Sequence, residues 1–120
     1  MPEQRLLIVD DDSNLRLLYR RELESAGYEV AAVGSALEAL TAVGESTFDL
    51  ILLDIEMPGM NGLEALQHLR QMAPKTKVII NSAYNIYKAN FETWLADDFV
   101  VKNSDLKPLK DTIRKVLDLK

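Results

Sequence analysis

The sequence predicts an α/β fold in which a parallel β-sheet is covered by helices on both faces. Five apolar runs of strand length recur along the chain, and segments with helical patterning separate them. Strict alternation of strands and helices with short links is typical of parallel sheets, and right-handed crossovers leave few topologies open. The five predicted strands are Leu6–Val9, Val30–Val33, Leu50–Leu53, Val78–Ile80 and Phe99–Val101.

Start and stop signals place five helices between and after these strands. Ser13 precedes the first helix, which ends near Gly27, and Ser35 with Glu38 forms a capping box for the second. Pro108 falls in the first turn of the last helix, where backbone N–H groups have no intrahelical partner. The other helices are predicted from about Gly62 to before Pro74, through Asn85 to Leu95, and from near Ser104 onwards.

Length and charge limit what the chain can do. Its 120 residues, 48% of them hydrophobic, suit one compact domain over residues 1–120. The net charge of -5 argues against direct nucleic-acid binding, because phosphate binding needs a basic face. No apolar stretch resembles a signal peptide or reaches membrane-spanning length. We therefore expect a cytoplasmic domain that contacts neither nucleic acid nor membrane directly.

Polar side chains follow four of the predicted strands. Asp10 and Asp11 follow the first strand, Asp54 the third, Ser82 the fourth and Lys102 the fifth. Ligands of open parallel sheets bind beyond the carboxyl ends of the strands, so we expect these side chains to share one rim. Three crowded carboxylates repel one another, and Mg²⁺ would relieve the repulsion because it accepts a few carboxylates and keeps waters and phosphate oxygens in its shell.

Asp54 is the best candidate for a nucleophile. It ends the most continuous apolar run, Leu50–Leu53, which is typical of a central strand buried on both faces. With Mg²⁺ bound nearby, a carboxylate can attack phosphorus and hold the product as an acyl phosphate. Lys102 would then neutralise charge on the transferring group, and Ser82 could donate a hydrogen bond to a phosphoryl oxygen.

The order of these motifs resembles that of the receiver domains of two-component response regulators. It runs Leu-Ile-Val-Asp-Asp-Asp, then Leu-Leu-Asp-Ile-Glu-Met-Pro-Gly-Met-Asn-Gly, then Ser-Ala, then Val-Lys, and it covers the whole chain. The resemblance implies a flavodoxin-like five-stranded parallel sheet of order 2-1-3-4-5. It also implies a phosphoacceptor that receives a phosphoryl group from a sensor histidine kinase or a histidine phosphotransfer protein with Mg²⁺ as cofactor.

The same resemblance assigns metal ligands. Asp10 and Asp11 match the acidic pair that helps to bind Mg²⁺, with Asp11 as the direct ligand. Asp54 matches the phosphorylated residue and a second ligand, and the backbone carbonyl of Glu56 matches the third protein ligand. The turn Met57–Gly62 after the nucleophile is the most specific single signal, because Pro and Gly give it a fixed shape.

The resemblance further implies a switch. Ser82 matches the hydroxyl switch position, Lys102 the lysine of the family pattern, and Phe99 an aromatic position that swings inward when the hydroxyl residue moves. The downstream effector is unknown, and the chain is expected to be a monomer or a phosphorylation-dependent dimer. As a hypothesis, Asn14, Leu15, Leu18 and their neighbours in the first helix contribute to docking the phosphodonor. Beyond its own phosphorylation and dephosphorylation, no enzymatic activity is expected.

The sequence departs from the family pattern at Asn103, where proline with a cis peptide bond is common after the lysine. A cis bond before a residue other than proline costs about 3 to 4 kcal/mol, so we expect a trans Lys102–Asn103 peptide. Asp12 is expected to cap the first helix. His68 is expected to be an exposed helix residue rather than a phosphotransfer histidine.

Two other functions compete with this interpretation. A Mg²⁺-dependent phosphohydrolase with an aspartyl nucleophile, of the haloacid dehalogenase type, needs an Asp-x-Asp pattern, but Asp54-Ile55-Glu56 stands here. A flavin or nucleotide binding module needs a loop that offers N–H donors to phosphate, whereas acids occupy that loop. Steady turnover of a small phosphoester would favour the first alternative, and a bound yellow chromophore would favour the second.

Overall fold

The computed structural model describes residues 3–56, 62–83 and 96–118. Five strands and four helices lie in these ranges, and the fourth of the five predicted helices falls outside them. In chain order the elements are β1 Arg5–Val9, α1 Ser13–Ser25, β2 Glu29–Val33, α2 Ala36–Glu45, β3 Leu50–Leu53, α3 Gly62–Met72, β4 Lys77–Ser82, β5 Asp98–Val101 and α4 Lys107–Asp118. None of the helices in these ranges is long and apolar enough to cross a membrane.

The five strands form one parallel sheet of order β2-β1-β3-β4-β5, so the predicted fold class and strand order are confirmed. Every residue of the central strand β3 is buried, because helices cover the sheet on both faces. Buried side chains of α2 and α3 pack on one face, and those of α1 and α4 pack on the other. The alternation of side chains along each strand divides the core into these two clusters.

Local capping sets the helix boundaries. Asp12 is the N-cap of α1, as predicted, so Ser13 is the first residue of the helix instead of preceding it. Gly27 follows the end of α1 with a φ of 101°, a conformation that glycine adopts without steric cost. One of the two bonds of the predicted α2 capping box is confirmed, since Ser35 Oγ accepts a hydrogen bond from the Glu38 amide at 3.1 Å. The Glu38 carboxylate accepts its backbone bond from the Gly34 amide at 3.1 Å, one residue before the N-cap.

The last helix begins at Lys107, three residues later than predicted. The Asn103 side chain accepts a hydrogen bond from the Asp105 amide, and the Asp105 side chain accepts one from the Lys107 amide, both at 3.0 Å. Such local bonds hold the backbone in turns and compete with helix formation. Pro108 lies in the first turn of α4, as expected.

Strand β4 is longer than its apolar run predicts. Asn81 and Ser82 continue the strand beyond Ile80, because they pair with Val100 and Val101 of β5. Asn81 is buried and donates a hydrogen bond from Nδ2 to the hydroxyl oxygen of Tyr19 in α1 at 3.1 Å. This bond joins α1 to the end of β4, just before Ser82.

Substituting Tyr19 by phenylalanine is expected to lower the free energy of unfolding by about 1 to 2 kcal/mol, because the buried Asn81 amide loses its acceptor. Urea unfolding measures the change. Tyr28→Phe is the matched control, since its half-buried ring packs against the same face of the core, and a change below about 0.5 kcal/mol is expected. Equal stability of Tyr19→Phe and the unaltered protein would contradict the prediction.

Candidate functional site

The carboxyl ends of the strands position the functional side chains by extending the backbone ladder one residue further. The Asp10 amide donates to Val33 O at 3.1 Å, the Asp54 amide to Val9 O at 2.9 Å, and the Lys102 amide to Ser82 O at 2.7 Å. Residues that are up to 92 positions apart are thereby fixed at one edge of the sheet. The structure therefore brings the predicted site residues of four strands together.

Three acids form the centre of this edge. Asp10, Asp11 and Asp54 each offer a carboxylate oxygen, and these oxygens lie within 4.8 Å of one another. Asp10 and Asp54 are buried, whereas Asp11 is exposed. The cluster is therefore closed on the side of the sheet and accessible on the side of Asp11.

Lys102 lies against the two buried acids. Its Nζ is 2.9 Å from Asp10 Oδ2 and 3.1 Å from Asp54 Oδ2. The contact with Asp54 has hydrogen-bond geometry, while Asp10 Oδ2 accepts no directed hydrogen bond from the described residues. The other oxygens accept backbone bonds, Asp10 Oδ1 from the Asp12 amide at 2.9 Å and Asp54 Oδ1 from the Glu56 amide at 2.8 Å.

Burial and charge act in opposite directions on these groups. Burial raises the pKa of Asp54, and the bonds from Glu56 and Lys102 oppose this rise only in part. Burial acts to lower the pKa of Lys102, but the carboxylates of Asp10 and Asp54 outweigh it, so this pKa lies above its ordinary value. Lys102 is therefore a cation at neutral pH, and ionised Asp54 is held in an unfavourable environment.

The donor set fits a hard cation. The cluster offers only oxygen ligands, and one buried oxygen, Asp10 Oδ2, has no directed hydrogen-bond donor among the described residues. Three carboxylates, two of them buried, exceed the two nearby positive charges, which are Lys102 and Arg16. A divalent ion such as Mg²⁺ would offset this excess, and Asp10, Asp11 and Asp54 are the side chains that could hold it.

The two predicted switch residues lie on the same side of the sheet. Ser82 is fully buried at the end of β4, and Phe99 packs partly buried against the core on the α2 and α3 face. Phe99 pairs with Ile80, which belongs to that same face, and side chains two residues apart share a face. Ser82 and Phe99 are thus diagonal neighbours across β4 and β5.

Other sequence expectations have mixed outcomes. All peptide bonds of the described residues are trans, which confirms the expectation for Lys102–Asn103. His68 is exposed in α3, as expected. Leu15 packs against the core, so it fits a docking role less well than Leu18, which is 42% exposed. The turn over residues 57–61, which the sequence singled out, lies outside the described residues.

One residue of the site was missed from the sequence. Arg16 donates a hydrogen bond from Nη1 to the backbone oxygen of Asp10 at 2.7 Å. Nothing in the helical pattern of α1 distinguishes this arginine from Arg20 or Arg21 nearby. The Arg16 side chain bonds to the loop that precedes its own helix, and the spacing of apolar residues does not predict such a contact.

The fold and the site define a five-stranded α/β domain with an acidic site and an opposing lysine at the carboxyl edge of its sheet. The profile of the family described as Response regulator receiver domain matches residues 6–114. The chain therefore belongs to the response regulator receiver domain family. This membership supports the receiver interpretation over the phosphohydrolase alternative. Members of this family are receiver domains and not enzymes in the ordinary sense.

Relatives of the chain agree with this assignment. Sporulation initiation phosphotransferase F of Bacillus subtilis (strain 168) is 32% identical over 123 residues, which cover 100% of this chain and 98% of that protein. The chain also matches transcriptional and response regulators of which it spans only a quarter to a half, such as 26% of ZraR of Klebsiella oxytoca and 52% of ArlR of Staphylococcus saprophyticus.

Solved structures share the fold closely. The response regulator protein TrrA of Thermotoga maritima in complex with Mg²⁺–BeF superposes with a TM-score of 0.90 and is 38% identical, covering 94% of this chain and 98% of that chain. TrrA in complex with the histidine kinase ThkA gives a TM-score of 0.89 at 38% identity, covering 96% and 99%.

Proposed function

We propose that this chain is a phosphoacceptor whose Asp54 receives a phosphoryl group from a phosphohistidine, with Mg²⁺ as cofactor. The observation that carries the proposal is the contact of the Lys102 ammonium with Asp10 and Asp54 at the acidic cluster. Asp54 is buried, contacts a fixed cation and lies close to further oxygen ligands. Such a carboxylate is suited to attack the phosphorus of a negatively charged phosphoryl group. The chain then transmits a signal as a single receiver domain over residues 1–120, in the cytoplasm.

In the proposed reaction an oxygen of Asp54 attacks the phosphorus of the phosphohistidine. A P–O bond forms, the P–N bond breaks, and its electron pair stays on the departing imidazole, which takes up a proton. Lys102 stabilises the negative charge of the transferring phosphoryl group. Proteins catalyse such transfers mainly by positioning the reactants and by stabilising this charge. The product is an aspartyl phosphate, and water later hydrolyses it to restore Asp54. The chain acts only on its own aspartate.

Mg²⁺ would supply positive charge for the phosphoryl oxygens and would orient them toward the nucleophile. The side chains of Asp10, Asp11 and Asp54 would hold it, and we assign the third protein ligand to the backbone carbonyl of Glu56. The backbone amides of Asp12 and Glu56 support this assignment, because they hold the carboxylates of Asp10 and Asp54 in place and keep the Glu56 backbone next to Asp54.

Phosphorylation would act on the switch residues. We propose that Ser82 moves to donate a hydrogen bond to a phosphoryl oxygen. Phe99 would then occupy the space that Ser82 vacates on the same face of the sheet. Their diagonal position supports this coupling. The result is a population shift of the surface around β5 and α4 rather than a new fold. That surface would meet an effector or a second copy of the chain.

The phosphodonor is proposed to be a sensor histidine kinase or a histidine phosphotransfer protein. The solved complex of TrrA with a histidine kinase supports this class of partner. In this chain Leu17 and Leu18 are 50% and 42% exposed on α1, the helix that begins beside the acidic cluster. Their exposed side chains would offer a phosphodonor an apolar contact on this helix.

Intact-mass measurement after incubation with acetyl phosphate tests the proposal. The unaltered chain is expected to gain one labile phosphoryl group with Mg²⁺ and none in EDTA, and Asp54→Asn is expected to gain none. Asp49→Asn is the matched control, because Asp49 is an exposed acid before the same strand, and it should be phosphorylated normally. Lack of phosphorylation with Mg²⁺, or equal phosphorylation of Asp54→Asn, would refute the proposal. Steady release of phosphate from small phosphoesters would instead support a phosphohydrolase.

A further inference from the structure

Arg16 lies in the first turn of α1, yet its side chain reaches back to the acidic loop before the helix. Its amide donates to Asp12 O at 3.0 Å within the helix, while Nη1 donates to Asp10 O at 2.7 Å. A charged donor at this distance forms a strong hydrogen bond. The guanidinium is thus bound to the main chain between the first two acids of the cluster.

This bond fixes the orientation of one peptide plane. The carbonyl of Asp10 and the amide of Asp11 belong to the same planar unit. Strand pairing holds the amide of Asp10 through Val33 O, and the Asp12 amide holds its carboxylate. Arg16 provides the bond that holds the carbonyl. The orientation of the Asp11 backbone relative to the buried Asp10 therefore depends on Arg16.

Gly34, which follows β2, leaves space for the guanidinium. A Cβ at this position would lie 2.9 Å from Arg16 Nη1 and 3.3 Å from its Cζ, closer than side chains normally approach. The φ of Gly34 is outside the left-handed region, since Gly27 is the described glycine with a positive φ. The backbone at Gly34 therefore accepts alanine, and a methyl group there would displace the end of a flexible side chain.

We propose that Arg16 is a positioning residue for the Mg²⁺ site, acting through the Asp10–Asp11 peptide and accommodated by Gly34. This inference depends on the proposed function, because it concerns the same cation. Arg16 orients the acidic pair so that both carboxylates can share one ion, and it does not itself touch the ion.

The direction of the change in Mg²⁺ affinity on loss of Arg16 distinguishes a positioning role from a purely electrostatic one. A cation near the site repels Mg²⁺, so removing a positive charge would by itself tighten Mg²⁺ binding. Loss of a positioning contact does the opposite, since groups that orient metal ligands typically account for 10- to 100-fold in metal affinity. Weaker Mg²⁺ binding after loss of Arg16 therefore cannot come from the lost charge.

Isothermal titration calorimetry with Mg²⁺ alone tests the inference. Arg16→Met is expected to raise the dissociation constant about tenfold. Gly34→Ala, which keeps the arginine, is expected to raise it in the same direction, and the double variant should match Arg16→Met alone. Arg20→Met is the matched control, because Arg20 is on the same helix and pairs with Glu24 at the surface. It should bind Mg²⁺ as tightly as the unaltered chain or slightly tighter. Urea unfolding in EDTA verifies that each variant is folded.

Three outcomes would overturn the inference. If Arg16→Met and Gly34→Ala bind Mg²⁺ as tightly as the unaltered chain, Arg16 does not position the site, and the proposed function is unaffected. If the double variant binds more weakly than Arg16→Met, the Gly34 substitution acts by another route and the role of Gly34 is wrong. If the unaltered chain binds no Mg²⁺, the proposed function fails together with this inference. Should Arg16→Met not fold, Gly34→Ala decides alone.

Discussion

Replacing Lys102 by methionine is expected to lower the free energy of unfolding of the metal-free protein by about 3 kcal/mol at neutral pH. Lys102 Nζ lies within 3.1 Å of both Asp10 and Asp54, and these side chains are only 2% and 3% exposed. Removing the ammonium leaves two buried carboxylates with no ion-pair partner among the described residues. Such an unpaired charge is costly, whereas an intact buried ion pair contributes little net stability.

Chemical denaturation in EDTA measures this change. Lys107→Met is the matched control, because Lys107 forms an exposed pair with Asp111 one helical turn away. Exposed pairs contribute at most about 1 kcal/mol, so this variant should differ little from the unaltered chain. The large effect should shrink at low pH, where the carboxylates take up protons. A loss as small as that of Lys107→Met would show that solvent already compensates the two acids.

Addition of Mg²⁺ is expected to raise the free energy of unfolding of the unaltered chain by about 2.7 kcal/mol at one hundred times its dissociation constant. The physical reason is the excess of negative charge at Asp10, Asp11 and Asp54. Burial raises the pKa of Asp54 above its ordinary value of 3.8. The ionised form of Asp54 therefore destabilises the metal-free fold, and a bound cation would remove this cost.

Linkage gives the sign of the pH dependence. Between pH 3.8 and the raised pKa, the folded state binds more protons at Asp54 than the unfolded state, so the contribution of Asp54 to stability falls as pH rises. Metal-free Asp54→Asn should therefore be more stable than the metal-free unaltered chain at neutral pH, and Mg²⁺ should stabilise it far less. Thermal denaturation with and without Mg²⁺ measures both effects. Equal Mg²⁺ stabilisation of the two proteins would exclude Asp54 as a ligand.

The strand-end residues were predictable because the sheet is parallel. Once five apolar runs alternate with helices, the residues that follow the runs must meet at one edge, and Asp10, Asp54 and Lys102 do so. The boundaries were less predictable. Ser82 belongs to β4 because the neighbouring strand pairs with it, and the last helix begins late because Asn103 and Asp105 form local side-chain bonds with the backbone.

By itself, the sequence determined the α/β class, the strand positions, the acidic cluster and the family resemblance, because these depend on periodicity and on residue order along the chain. Only the tertiary structure decided the contacts that cross between elements. Lys102 forms ion pairs with both Asp10 and Asp54, and Asn81 donates a hydrogen bond to Tyr19. Arg16 bonds to the carbonyl of Asp10, and its guanidinium lies against Gly34. Such contacts depend on packing distances and side-chain directions, which a linear pattern of residue types does not specify.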